Sequence, residues 1–318
     1  MRVLVTGASG FIGRALCARL AAMEGMTVRA AVRRGHGTLP PPCECARIWE
    51  IDGVTDWSSA LHGVDVIVHL AAKAHVAAQG TANSADFHRT NIEGTRRLAE
   101  EAARVGVRRF VFVSSIGVNG QMTEPGRSFR ADDAPAPQSS YAESKLRAER
   151  ALDDVLREAE TEGVVVRPPL VIGPEAPGNF RRLAKLVRAG SPLPFGLIRN
   201  ERAFIGLDNL IDFLVTCMKH PAAPGTHIVA DDAHYSTPDL VRVMARSVGT
   251  QVFMVPVPVP VLRTLAGLTG RKDDIERLVG SLRIDDAPSR TALRWRPPLS
   301  PETSIRLAMA PHSRTASS

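Results

Sequence analysis

No apolar stretch in these 318 residues reaches the roughly 18 consecutive positions a helix needs to cross a bilayer, which excludes a membrane span of that kind. Nor is there an apolar region ending in a small-residue cleavage site near the start. Met1-Arg2-Val3-Leu4-Val5-Thr6 runs straight into a glycine turn, so no signal peptide is read and a cytoplasmic location is expected. Cysteines are few. Cys43 and Cys45 stand two apart without the companion pair of a zinc site, and Cys17 and Cys217 lie in apolar stretches. Buried or free thiols are expected, with no structural metal and no disulfide. Aromatics make up only 5%, too few for a base-stacking platform, and the 40 Lys+Arg are scattered among 33 Asp+Glu. The net charge of +7 then fits attraction of polyanionic small molecules such as nucleotides, or a merely solvated basic surface, and not nucleic acid.

What is present is alternation. Arg2–Thr6, Thr27–Val32, Val64–Leu70, Arg109–Ser114 and Val164–Arg167 are short apolar, β-rich runs that read as buried parallel strands. Between them, Ile12–Met23, Asn91–Val105 and Tyr141–Thr161 carry helical spacing, with Gly25, Gly106 and Gly163 just past their ends. The fold class expected is α/β: a Rossmann-type, doubly wound parallel sheet with ligand at the carboxyl ends of the strands. A smaller mixed part follows, since the alternation weakens after Pro168-Pro169. A helix near 180–189, a returning strand near 226–230, a helix at 237–247 and an apolar helix near 261–268 are expected there. The division expected is 1–168 for the dinucleotide-binding domain, with 200–232 returning to it, 169–199 and 233–311 for substrate, and a flexible tail at 312–318.

Thr6-Gly7-Ala8-Ser9-Gly10-Phe11-Ile12-Gly13 lies at the first strand-to-helix turn, the context that gives a three-glycine pattern its meaning. Gly7 serves the tight turn, Gly10 the backbone approach to a pyrophosphate, and Gly13 the close seat of the helix, whose N-terminus, with Phe11 and Ile12, faces the phosphates. The second strand ends at Val32-Arg33-Arg34, where NAD-selective sites carry an acid for the ribose hydroxyls. Arg33 can instead accept a 2′-phosphate, which favours NADP(H) and leaves NAD(H) open; a solvated loop arginine is the alternative. Asp52 is a candidate acceptor for the adenine amino group, or an exposed loop carboxylate.

Tyr141 and Lys145 stand four apart, on one face of a helix. A neighbouring ammonium is expected to lower the tyrosine from its usual pKa near 10 toward working pH. Ser114-Ser115 ends a strand at the carboxyl edge, where a hydroxyl can hold a substrate oxygen while Tyr141 exchanges its proton.

Together with His69-Leu70-Ala71-Ala72, Asn91, Gly94-Thr95, Phe112–Gly120, Arg167-Pro168-Pro169 and Gly173-Pro174, these motifs make the chain resemble the extended short-chain dehydrogenase/reductase family over almost its whole length. The branch it resembles holds the nucleotide-sugar epimerases, dehydratases and reductases. The resemblance implies Ser115 as the catalytic hydroxyl, Tyr141 as acid/base and Lys145 as its partner and a ribose ligand. It implies Leu70, Ala71, Ala72 and Pro168 along the cofactor path, and Asn91 as a buttress of the active-site strand. Asn179-Phe180 stands where the family contacts the nucleotide, and Arg202 opens a segment whose arginine binds a diphosphate; a surface arginine is the alternative. Gly206 departs from a histidine common there, and Arg294 replaces the glycine of the family's C-terminal LGWxP motif. Arg271 and Arg283 are weaker phosphate candidates.

Ser115 is followed by Ile116-Gly117, neither of which can act as acid or base, so dehydration is excluded. Reduction of a UDP-4-keto-6-deoxy-hexosamine for surface polysaccharide synthesis is the main expectation. A nucleotide-sugar 4-epimerase with tightly bound NAD is the alternative. Lys73 and His75, in a segment similar to bacterial reductases, are candidate substrate contacts or solvated loop residues. The substrate implied is a UDP- or dTDP-sugar, and a homodimer is compatible with the family. A non-sugar carbonyl reductase and a non-catalytic NAD(P)-binding sensor stay open, although a sensor has no chemical need for the full Ser115/Tyr141/Lys145 set.

Overall fold

The computed structural model of the chain describes residues 1–33, 43–74, 84–270 and 272–310. The first half runs β1 (Arg2–Thr6), α1 (Phe11–Ala21), β2 (Thr27–Arg33), β3 (Glu44–Ile48), α2 (Ser58–Leu61), β4 (Val66–His69) and α3 (Ser84–Phe87). A π-helical turn (His88–Glu93) then leads into α4 (Gly94–Arg104), followed by β5 (Arg109–Val113), a 3₁₀ turn (Ile116–Val118), α5 (Ser140–Leu156) and β6 (Glu162–Arg167). The second half holds β7 (Leu170–Ile172), α6 (Asn179–Arg188), β8 (Phe204–Gly206), α7 (Leu207–Lys219) and β9 (Gly225–Ile228). It ends with α8 (Thr237–Ser247), α9 (Val259–Leu268), α10 (Lys272–Val279), α11 (Ala287–Leu293) and α12 (Pro301–Met309).

Seven of the strands form one parallel sheet in the order β3-β2-β1-β4-β5-β6-β9, the α/β architecture expected. The central strands are apolar throughout because both faces are covered. Their side chains alternate: Val3, Val5, Val66, Val68, Val111 and Val113 join α1 and α7 in one core. Leu4, Ile67, Phe110 and Phe112 pack with Trp57, Leu98 and Leu152 in the core on the other face. The chain turns back between β1 and β4, so the crevice at their carboxyl ends is the natural ligand site of this topology.

The second half divides its loyalty. α7 buries Leu210, Phe213 and Leu214 in the first core, and β9 pairs with β6 at the sheet edge. β8 instead pairs with β7 in a separate two-stranded sheet. That sheet and α6, α8, α9 and α12 share a third core built on Phe180, Leu193, Phe204, Met244 and Ile305. The 312–318 segment lies outside the described residues.

At two positions where the sequence departs from the family it resembles, the structure shows what the residue present meets. Arg294 caps α11 in the left-handed region, φ 49° and ψ 39°, where glycine is the least strained residue. Trp295 beside it is buried, donates from Nε1 to Asp212 (2.9 Å) and meets Phe213 edge-on with ring centroids 4.9 Å apart. At Gly206 the side chain of Ser304 from α12 occupies the space a Cβ would need, so a histidine cannot stand there without moving α12. No described helix is long and apolar enough to cross a membrane, and no described cluster of His, Cys, Asp or Glu could hold a metal ion.

Candidate active site

The cofactor crevice is lined by Gly7, Ser9, Gly10, Leu70, Ala71, Ala72 and Lys73, with Ala31, Ile48, Glu50 and Ile51 at its far end. Gly7 has φ +68°, and a Cβ on it would lie 2.8 Å from the Ala71 nitrogen; a Cβ on Gly13 would overlap the Gly7 carbonyl. α1 opens on Gly10 with no side-chain cap and no acid in its first turn. Its leading N–H groups and positive dipole end therefore remain available to an anion. These features fit the pyrophosphate of a dinucleotide.

Beneath the crevice runs a buried chain of hydrogen bonds whose directions can be assigned. Thr95 Oγ1 donates to the Asn91 carbonyl (2.6 Å), so it must accept from His69 Nε2 (3.0 Å). His69 Nδ1 then accepts from Thr6 Oγ1 (2.6 Å), which itself accepts from the Ala71 N–H (3.2 Å). Burial holds His69 down to about 3, so the ring is neutral at any working pH. The network ties the glycine-turn strand to Ala71 and to the π-helical turn that carries Asn91. Asn91 grips the Lys73 backbone at both ends (2.7 and 3.1 Å) and donates to Ser144 Oγ (2.9 Å), which donates to the Tyr141 carbonyl (2.7 Å).

The second pocket lies beside the first and is lined by Ser115, Ile116, Gly117, Tyr141, Leu170, Arg202 and Arg277. Ser115 caps the 3₁₀ turn, its Oγ accepting from Gly117 N–H (3.1 Å), while Ser114 Oγ is buried without a partner among the described residues. α5 begins at a Ser139 cap, which sets Tyr141 in its first turn and Lys145 one turn later. Lys145 Nζ donates to the Val113 carbonyl at the end of β5 (2.8 Å) and lies 4.4 Å from the Phe112 ring centroid. Burial lowers Lys145 to about 7, opposed by the carboxylate of Glu149. Glu149 accepts two bonds from Arg167 (3.0 and 2.6 Å) in a buried pair that Asn119 completes.

Tyr141 corrects an expectation. Its phenol is raised to about 12 by burial, not lowered toward working pH. In the chain by itself desolvation is the cause of that shift.

The remaining candidates divide by placement. Arg202 enters the Tyr141 pocket; it donates to the Gly280 carbonyl (3.0 Å) and is lowered to about 10 by burial, with Arg277 adding to the shift. Arg277 was missed from the sequence, where it is one more cation on a charged helix; only the third dimension places it beside Arg202. Asp52 is not among the residues lining the crevice: its carboxylate accepts from Val54 N–H and Thr55 Oγ1, a local turn, and Glu50 and Ile51 line the crevice instead. Asn179 sits at the exposed start of α6, bonded to Asp274 (3.4 Å), and does not line the Tyr141 pocket. Pro168 is buried behind that pocket, its carbonyl accepting from Ile116 N–H (3.0 Å). Arg283 pairs with Glu201 (3.0 Å). Arg33 ends β2, but its side chain, like all of His75 and Arg271, lies outside the described residues.

The model of the NAD dependent epimerase/dehydratase family matches residues 3–230. A UDP-glucose 4-epimerase of Vibrio cholerae is 36% identical over 299 residues, covering 93% of this chain and 90% of that protein. An N-acetyl-alpha-D-glucosaminyl-diphospho-ditrans,octacis-undecaprenol 4-epimerase of Escherichia coli O157:H7 is 25% identical over 85% of this chain and 81% of its own. Among solved structures, a UDP-glucuronic acid 4-epimerase of Bacillus cereus in complex with NAD superposes with a TM-score of 0.78 at 22% identity, covering 97% of both chains. That likeness establishes the fold.

Proposed function

The chain belongs to the NAD dependent epimerase/dehydratase family, and from that premise we propose that it is a UDP-sugar 4-epimerase using NAD. The observation that carries the reading is the convergence of Ser115, Tyr141, Arg202 and Arg277 on one pocket beside the glycine-turn crevice. The Vibrio cholerae relative, aligned over nearly the whole chain, supports epimerisation over the reductase expected from Arg33, and the family's NAD dependence supports NAD over NADP(H).

In this reading Arg202 and Arg277 hold the diphosphate, a natural target for guanidinium donors. Ser115 Oγ orients the C4 oxygen, and Tyr141 takes its proton as the alcohol becomes a ketone. Lys145, anchored on Val113, supplies charge along α5 and a ribose contact. NAD held at the glycine turn of Gly7, Gly10 and Gly13 would supply reversible hydride transfer at C4, and its positive charge would favour ionisation of the Tyr141 phenol that burial alone keeps protonated. Tyr141 then gives its proton back, so no cofactor is consumed. Ile116 and Gly117 offer no group for proton exchange at neighbouring carbons, in keeping with epimerisation and not dehydration.

A second reading, reduction of a UDP-4-keto-6-deoxy-hexosamine with NADPH, rests on Arg33 at the end of β2. The two differ in what the purified protein carries. Denatured protein should release NAD, and calorimetry should show UDP binding. Release of neither nucleotide, with NADP(H) binding far tighter than NAD(H), favours the reductase. Failure of UDP to bind at millimolar concentration defeats both.

A further inference from the structure

α5 buries two ionisable residues, Lys145 and Glu149, at 2% and 7% exposure, and turns Glu143, Arg147, Arg150, Asp153 and Asp154 to solvent. The buried two stand four apart, so they share one face of the helix, about 6 Å apart along its axis. Glu149 is gripped from β6: its two oxygens accept from Arg167 (3.0 and 2.6 Å), itself 5% exposed. Arg167 Nη1 donates to Asn119 Oδ1 (3.0 Å), and Asn119 donates to the Arg130 carbonyl (2.7 Å). The clamp fixes where the carboxylate stands relative to Lys145.

A staple between α5 and β6 does not need charge. Taking a carboxylate and a guanidinium out of water is costly, and apolar residues of similar volume often join two elements as well. The surroundings of Lys145 give the charge a use. β5 offers it only the Val113 carbonyl and the Phe112 ring. His69 of β4 is kept neutral by burial, and so is the phenol of Tyr141 on α5. Arg167 of β6 brings like charge, which Glu149 covers. Glu149 is therefore the one negative charge that acts on Lys145 among the described residues. With the phenol protonated, Tyr141, Lys145, Glu149 and Arg167 sum to one positive charge; a phenolate brings the sum to zero.

We propose that Glu149, clamped by Arg167, is a positioning residue for the proton step: its carboxylate holds Lys145 as the ammonium that stabilises Tyr141 when the phenol gives up its proton. This role rests on the reading of Tyr141 as acid/base, and it adds what keeps the partner of Tyr141 charged. An opposite charge a few ångström away favours the charged form of a buried group by about one pKa unit or more. Without Glu149, burial would strip the proton from Lys145 below pH 7, and the phenolate would lose its counter-charge.

The test is carbon-13 NMR of the full, nucleotide-free chain labelled at lysine Cε. The sequence has five lysines, and the Lys145 signal is the one missing from Lys145→Met. In the parent it should titrate at about 7. In Glu149→Gln with Arg167→Gln, where neither partner is left as an unpaired buried charge, the midpoint should fall by about one unit. The alkaline limb of kcat/KM for UDP-sugar epimerisation should move down with it. Should that pair not fold, Glu149→Asp draws the carboxylate back by one methylene and should lower the midpoint in the same direction. A folded variant whose Lys145 midpoint stays at the parent value overturns the proposal and leaves Glu149 a structural staple. The titration needs neither nucleotide nor turnover. A midpoint that falls in a protein that interconverts no UDP-hexose supports the role of Glu149 and fails only the epimerase reading.

Discussion

Lys145 should destabilise the protein that needs it. Its ammonium is buried with one carbonyl partner, and the folded pKa of about 7 stands against 10.5 in the unfolded chain. At 1.36 kcal/mol per tenfold in protonation, holding that charge costs on the order of 4 kcal/mol at pH 7. Lys145→Met removes the charge and keeps the apolar stem, but leaves the Val113 carbonyl unpaired, a loss of about 1–3 kcal/mol. The variant should therefore be more stable than the parent by about 1–3 kcal/mol at pH 7. The sign with pH follows from proton counts. Between about pH 7 and 10.5 the unfolded chain binds more protons at this residue than the folded one, so the parent gains stability as pH rises through that window. By pH 9 the cost of the ammonium has fallen to about 2 kcal/mol and the advantage of Lys145→Met should vanish. Denaturant unfolding of both proteins, stripped of nucleotide, at the two pH values isolates the residue because other groups titrate alike in each. A variant less stable than the parent at pH 7, or a difference that does not change with pH, refutes the reasoning.

Three further outcomes are expected. Tyr141→Phe should fold and bind NAD yet lose at least about a hundredfold in turnover, the lower end for a positioned proton donor; product assays with a UDP-sugar check this. Arg202→Ala should weaken UDP binding in calorimetry and leave NAD affinity unchanged, with the kinetic loss chiefly in KM if the contact persists in the transition state. Arg294→Gly should raise stability by roughly 0.5–1 kcal/mol in denaturant unfolding, because glycine relieves a left-handed residue at some cost in unfolded-chain entropy.

The sheet was legible because burial on both faces leaves an unbroken apolar signature in β1, β4 and β5, and the glycine turn could be placed because a strand precedes it. β3, with its alternating, half-exposed ECARI, carries no such signal, and neither do the three-residue strands β7 and β8. α7 went unread although its period is marked: nine of its residues are buried, and Asp208, Asp212, Thr216 and Lys219 form the one polar stripe. In the site, local spacing disclosed Tyr141 and Lys145. The turn that the Asp52 carboxylate closes is visible only in the folded chain, and Arg277 was hidden because the pocket it shares with Arg202 joins segments 75 residues apart in sequence. The raised phenol of Tyr141 was equally out of reach: spacing shows a neighbouring charge, not how much water burial removes.

The most direct measurement of the central claim is turnover with UDP-galactose and, separately, UDP-glucose and their N-acetylhexosamine counterparts, NAD present and no reductant added. Product chromatography should show the C4 epimer of at least one sugar rising to an equilibrium reached from both sides, with no net change in reduced nicotinamide. Absence of interconversion for every UDP-hexose, together with stoichiometric NADPH consumption on a UDP-4-keto-6-deoxy-hexosamine, would contradict the account and make the chain a reductase.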